Sequence, residues 1–238
     1  ALGERGGDTW FALGDRDLAV NVERSKRLRA GQTLSQVTAD FASAFGIGHA
    51  ILPMTDDPVS TRVLTSDGEL DFQHYFVRER CAPAVMGFRF AGIEDARLNP
   101  AIAACLESPE LLGVVLCPSN PFVSMDPILA LPGMLERLQA CQAPVIAVSP
   151  VVGGAAIKGP TVKMMAELSL TNSAAWVAEH YRAVLDGFVL DVIDEELLPE
   201  IESMGIRVNT TNTVMLTLED RIALARHCLR MLESLRGA

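Results

Sequence analysis

Alternating strand and helix patterns predict an α/β fold, a mostly parallel sheet with helices on both faces and an inserted antiparallel hairpin region. Two apolar runs and one ordering carry that prediction. Leu111–Pro121 (LLGVVLCPSNP) and Pro144–Pro150 (PVIAVSP) both stop at small hydroxyl or amide residues followed by proline. Continuous apolar runs of this kind fit strands buried on both faces, as in a parallel sheet. From Leu111 onward, strand-like and helix-like segments alternate. In open parallel sheets the ligand crevice lies beyond the carboxyl ends of the strands, so Ser119, Asn120 and Ser149 are expected to line one pocket.

The elements follow in order. Thr33-Leu-Ser-Gln36 has capping-box spacing and opens a helix that Gly46 closes. His49–Met54 (HAILPM) is expected to be a buried strand ending at Thr55-Asp56-Asp57-Pro58. Thr61–Thr65 and Glu69–Phe76 flank Ser66-Asp67-Gly68, a hairpin pattern. Val85–Ile93 is a further strand, and Asn99-Pro100 supplies a cap and a first-turn proline for a helix to about Leu106. Leu111–Cys117, a helix from Gly133 to Cys141, and Val145–Ser149 then alternate. The glycine-rich loop Gly153–Gly159 precedes helices at Thr161–Leu168 and Ala174–Leu185. Phe188–Val192, a short helix at Glu195–Met204, and Ile206–Asn209 repeat the pattern. Thr217-Leu-Glu-Asp220 caps a terminal helix whose Ile222, Ala225, Leu229 and Leu232 keep helical spacing. The chain reads as a single domain over residues 1–238, with 59–93 as an inserted β sub-layer.

Composition narrows the function. A hydrophobic share of 49% is ample for a core, and no uninterrupted apolar stretch approaches the roughly 18 residues of a membrane span. Five scattered cysteines without a C-x-x-C pair predict buried free thiols in a reducing cytoplasm. A net charge of −10 argues against a nucleic-acid polymer as partner and leaves a mononucleotide open. The basic cluster Arg24–Arg29 reads as a solvated helix face. The opening residues, which start at alanine, suggest an excerpt of a longer protein.

Four segments could carry chemistry. Leu13–Asp17 (LGDRD) offers an arginine fork for phosphate flanked by Asp15 and Asp17, or else a surface turn with a local ion pair. Asp56 and Asp57 after an apolar run suit Mg²⁺, or a hydroxyl-positioning role, or an Asx-type turn into proline. Ser60 and Thr61 beyond them can donate to a phosphate. In Cys117–Pro121 two prolines stiffen a turn bearing Ser119 and Asn120, and asparagine both donates and accepts, as recognition of a base edge or ribose requires. Gly153–Pro160 has flexible backbone, Lys158, and a following helix start that favours anions, although it lacks the P-loop pattern. The four histidines lack metal-ligand spacing, and G-x-S-x-G is absent.

Read together, LGDRD, ILPMTDDPVST, CPSNP and VSPVVGGAAIKGP resemble the 2-phospho-L-lactate transferase family (CofD-like) of coenzyme F(420) biosynthesis. The order and spacing of all four motifs match across essentially the whole chain. The resemblance implies a Rossmann-like core, a cytoplasmic homodimer, a Mg²⁺ requirement, and two small-molecule substrates, with neither nucleic acid nor membrane as partner. These are the deazaflavin Fo and a guanosine diphosphate conjugate of a phosphorylated three-carbon acid (2-phospho-L-lactate, phosphoenolpyruvate or 3-phosphoglycerate type), with GMP released. By position it implies catalytic roles for Arg16, Asp56 and Asp57. Substrate contacts fall to Asp15, Asp17, Ser60, Ser119 and Asn120, with the PSNP turn near the guanosine diphosphate part, and the strand-end and glycine-loop readings add Ser149 and Lys158. The family's N-terminal strand, Gly-Gly-x-Gly loop and metal-binding aspartates are absent from these residues, which leaves the metal ligands unassigned apart from Asp57 as a candidate. A different class, a non-catalytic regulator of related fold that binds nucleotide sugars, stands beside the transferase reading.

Overall fold

The structure is a computed structural model that describes residues 10, 11, 13–156 and 159–237. The chain divides into two compact units, Ala1–Ile102 and Ala103–Ala238.

In the first unit, α1 (Asp15–Arg29) carries acidic residues in its first turn and Lys26, Arg27 and Arg29 in its last, as the helix dipole favours. It is a solvated helix with no buried residue, as the basic cluster suggested. Arg27 ties it to α2 (Leu34–Ala44) through Asp40 at 2.8 Å, and its guanidinium sits 5.6 Å from the Phe41 ring centroid. Thr33 forms the expected capping box: its side chain accepts from the Gln36 N–H while its own N–H donates to the Gln36 side chain. The expected strand His49–Met54 does not form, and Ile51 and Leu52 are exposed. The sheet of this unit has the order β2-β1-β3, built from β1 (Ser60–Thr65), β2 (Gly68–Asp71) and β3 (Val85–Ala91), all antiparallel, so the 49–54 run finds no ladder partner in it.

That sheet is the region read as an inserted sub-layer. Its hairpin closes where the Ser66-Asp67-Gly68 signal lies, with Thr65 paired to Gly68. Arg62 pairs with Asp71, and Arg89 with Glu69, across the strands. The second strand is shorter than the pattern suggested. The chain turns helical after Asp71 and passes through a π-helical turn, His74–Arg78, which puts the Tyr75 side chain fully into the core. Burial of a large aromatic side chain outweighs the local alternation. α3 (Pro100–Leu106) starts as expected, with the Asn99 side chain accepting from the Ala101 N–H.

The second unit holds a four-stranded parallel sheet of order β4-β5-β8-β9. After β4 (Val114–Leu116) come a π-helical turn (Pro121–Met125), α4 (Asp126–Leu129) and α5 (Met134–Ala140). β5 (Val145–Val148) leads into a small hairpin of β6 (Val151–Val152) and β7 (Ala155–Ala156), then α6 (Thr161–Glu167) and α7 (Ala174–Tyr181). β8 (Gly187–Asp191), a 3₁₀ turn (Val192–Leu197), α8 (Leu198–Glu202), β9 (Arg207–Thr211) and α9 (Leu218–Arg236) complete it. Every residue of β5 and β8 is buried, and since neighbours along a strand point to opposite faces, both faces of the sheet are covered.

On one face, Ile146, Val148 and Val189 pack against Leu224, Cys228, Met231 and Leu232 of α9. The approach is close. A Cβ on Gly187 would lie 2.5 Å from Met231 Cε and 3.0 Å from Ile146 Cγ2. The five cysteines are all free, but only Cys228 is buried; Cys105 and Cys117 are exposed, Cys117 because it lies where the chain has already left β4. Among the described residues no helix is long and apolar enough to cross a membrane. Gly187→Ala is expected to overpack this seam and lower unfolding stability by about 1–3 kcal/mol, measurable by urea denaturation of the purified chain.

Candidate functional site

In the second unit the carboxyl ends of four parallel strands open on one rim, and each is followed by polar residues. After β4 comes the turn Cys117–Pro121. The Asn120 side-chain oxygen accepts from the N–H groups of Phe122 (3.0 Å) and Val123 (3.4 Å), and its amide donates to Met164 Sδ at 3.3 Å. Asn120 therefore caps the π-helical turn and ties the PSNP segment to α6. Ser119 is half-buried beside it.

After β5, the buried Ser149 closes on its own turn. Its hydroxyl donates to the Val151 carbonyl at 2.7 Å and accepts from the Val151 N–H at 3.2 Å, while its backbone N–H donates to the Val189 carbonyl of β8. The hairpin that follows turns at Gly153 and Gly154, with φ of +58° and +69°. Both values lie in the left-handed region that glycine enters without steric cost. Lys158 lies outside the described residues.

The ends of β8 and β9 supply the groups that the sequence reading missed. Asp191 is buried: one carboxylate oxygen accepts from the Ile193 N–H (3.2 Å), the other from the N–H and hydroxyl of Thr213 (2.7 and 2.9 Å). Asp194, also buried, takes the Gly153 N–H between its two oxygens at 3.0 and 2.9 Å. A hydrogen bond to a charged group is worth about 1.5–3 kcal/mol, and a buried carboxylate without partners is costly. These two aspartates thus stitch the loops after β5, β8 and β9 together. The available signal was the polar stop of the apolar run GFVLD, which a strand drawn to Val192 conceals.

In the first unit, Thr55–Pro58 forms an Asx-like turn in which the Asp57 N–H donates to the buried Thr55 hydroxyl at 3.0 Å. Asp56 accepts from the Ser35 N–H at 2.6 Å, in the first turn of α2. Asp57 accepts from the Arg97 N–H at 2.8 Å and faces its guanidinium at 3.4 Å. Asn99 donates to the Ser35 hydroxyl and the Pro53 carbonyl, both at 3.0 Å. The two aspartates are brought together, and their partners are the chain's own backbone and Arg97. Ser60 is exposed at the start of β1. Asp15, Arg16 and Asp17 are exposed in the first turn of α1, and helical rise alone puts Arg16 about 21 Å from Ala30, where the chain turns toward α2.

No three His, Cys, Asp or Glu side chains gather as a metal site among the described residues. Asp56 and Asp57 are engaged by Ser35 and Arg97, and no third such side chain joins them among the described residues. A cavity of about 660 Å³ in the second unit lies at the opposite end of the sheet, lined by Leu111, Arg137, Ala143 and Arg236, and contains none of the expected site residues.

The family model of 2-phospho-L-lactate transferase CofD matches residues 5–220. This chain belongs to the CofD family. A phosphoenolpyruvate transferase of Streptomyces griseus is 36% identical over 97% of the chain and 74% of that relative's length. A 2-phospho-L-lactate transferase of Methanosarcina acetivorans is 38% identical over 97% of the chain and 74% of its own length, and that of Methanosarcina mazei is 37% identical over 93% and 72%. All four motifs that suggested this CofD family fall inside the matched span. In fold, a crystal structure of a UPF0052 family member from Bacillus halodurans superposes with a TM-score of 0.56 at 10% identity, covering 86% of this chain and 70% of that one. The family is one of transferases, and the chain shares its fold with that neighbour.

The Asp57 contact has a consequence in acid. The Arg97 N–H, then its guanidinium, hold the Asp57 carboxyl below the usual aspartate range. A depressed folded value stabilises the fold above the unfolded value, about 3.9, and that contribution is lost as pH falls through the folded value. Asp57→Asn is expected to flatten the loss of stability below pH ~4 while leaving the slope between about pH 5 and 8 unchanged, as read by denaturant midpoints across pH.

Proposed function

We propose that this chain transfers a phosphorylated three-carbon acid from its guanosine diphosphate conjugate to the deazaflavin Fo, releasing GMP, in coenzyme F(420) biosynthesis. What carries the reading is the convergence of the PSNP turn, Ser149 and the Gly153–Gly154 hairpin at the carboxyl rim of one parallel sheet, in a chain whose relatives are named for transfer of 2-phospho-L-lactate or phosphoenolpyruvate. Such a rim is where open α/β sheets bind nucleotides.

In this reading a ribityl hydroxyl of Fo attacks the phosphorus distal to guanosine. The new P–O bond forms as the bond to the bridging oxygen breaks, GMP departs with that oxygen, and the hydroxyl proton passes to solvent. Transfers of this kind depend on positioning and on charge neutralisation at the non-bridging oxygens. Lys158 supplies positive charge, and the rim turns orient the donor. Asp56 and Asp57 act here by holding Ser35 and Arg97 in place. A homodimer belongs to the same proposal.

The test is incubation with Fo, Mg²⁺ and, separately, the lactyl, enolpyruvyl and glyceryl guanosine diphosphate conjugates, with mass analysis of products. One conjugate is expected to give an Fo adduct together with equimolar GMP. Absence of an adduct with all three sinks the proposal, and binding of nucleotide without Fo favours the regulator class.

A further inference from the structure

The hairpin Val151–Ala156 has little of its own to hold it. Its strands are two residues each and its turn is Gly153-Gly154. Isolated two-stranded hairpins are marginal in water, and paired glycines have much conformational freedom to lose. At its base the hairpin is held by Ser149, whose hydroxyl bridges the two polar groups of Val151. At its tip the only side chain bonded to it among the described residues is Asp194, 7% exposed, whose two oxygens share the Gly153 N–H. Asp194 departs from helical backbone within its 3₁₀ turn (φ −100°, ψ 17°). Its neighbour Ile193 also confines the tip, since a Cβ on Gly153 would lie 3.3 Å from Ile193 Cγ2.

The loop after β8 thereby sets where the loop after β5 stands. Gly154 and Ala155 remain exposed at the rim. A turn that offers backbone N–H groups to an anion binds well only if it is fixed before the anion arrives, because ordering it on binding lowers affinity.

We propose that Asp194 is a positioning residue for the transfer reaction, holding the Gly153–Gly154 turn where the donor's diphosphate is bound. This rests on the rim being the donor site. Asp194 makes no contact with substrate; it acts through Gly153.

The test compares wild type, Asp194→Ala and Asp194→Asn by steady-state kinetics and by amide hydrogen exchange at Gly153. Asp194→Ala is expected to raise the donor KM about tenfold or more, the scale of one lost charge-assisted hydrogen bond, with kcat within about threefold. Exchange at Gly153 should speed by a similar factor. Asp194→Asn keeps an acceptor for that N–H and is expected to restore KM and protection to within about threefold. A merely structural residue would lower stability without this split between KM and kcat. An unchanged donor KM in folded Asp194→Ala overturns the positioning role, and unchanged exchange overturns the anchoring. If Asp194→Ala does not fold, Gly153→Ala displaces the turn by crowding Ile193 and must show the same KM rise. Should wild type show no transfer, the functional reading fails by itself. Calorimetry with guanosine diphosphate then decides the positioning role: a Kd weakened about tenfold in Asp194→Ala supports it, and an equal Kd or no binding to wild type overturns it.

Discussion

Strands β5 and β8 are buried on both faces, and this constraint shapes the rest of the second unit. A strand with no solvent-facing side can carry no polar side chain along its length without a partner, so Val145–Val148 and Gly187–Leu190 are apolar throughout. Chemistry is displaced to the strand ends. On one face α9 presses against Gly187, and a Cβ on Gly113 would likewise strike Leu232. At the carboxyl ends the chain turns through serine, asparagine and aspartate.

The polar side chains at that rim mostly face inward. Asn120 and Ser149 are bonded to main-chain groups of their own turns, Asp191 and Asp194 to those of neighbouring loops. Buried polar groups need such partners, and the partners found here are the turns themselves. Asp56, Asp57 and Asn99 do the same in the first unit. Residues whose type suggests chemistry thus serve as the frame on which exposed backbone is presented. A site built this way is ordered before its ligand arrives.

What could be read from the sequence divides along a physical line. Caps were legible because they are local: Thr33 with Gln36, Thr217 with Asp220, and Asn99 with Pro100 each complete within a few residues. The parallel sheet was legible because burial on both faces leaves unbroken apolar runs. His49–Met54 misled because the same kind of run needs a ladder partner, and no neighbouring segment reveals whether one exists. Phe72–Phe76 misled because the helical turn there answers to a distant requirement, the burial of Tyr75. The four ordered motifs pointed to the family, but the links made by Asp191 and Asp194 span 22 and 41 residues and leave no local trace.

The docking of α9 also bears on how the chain is made. It is the last of the described elements to leave the ribosome, and until then Ile146, Val148 and Val189 lack the helix that covers them. The nascent second unit therefore passes through a stage in which one greasy flank of its sheet is bare. Such exposure is what chaperones bind and what drives aggregation during synthesis. Overproduction at low temperature, or with a trigger-type holdase co-expressed, suits a protein assembled in that order.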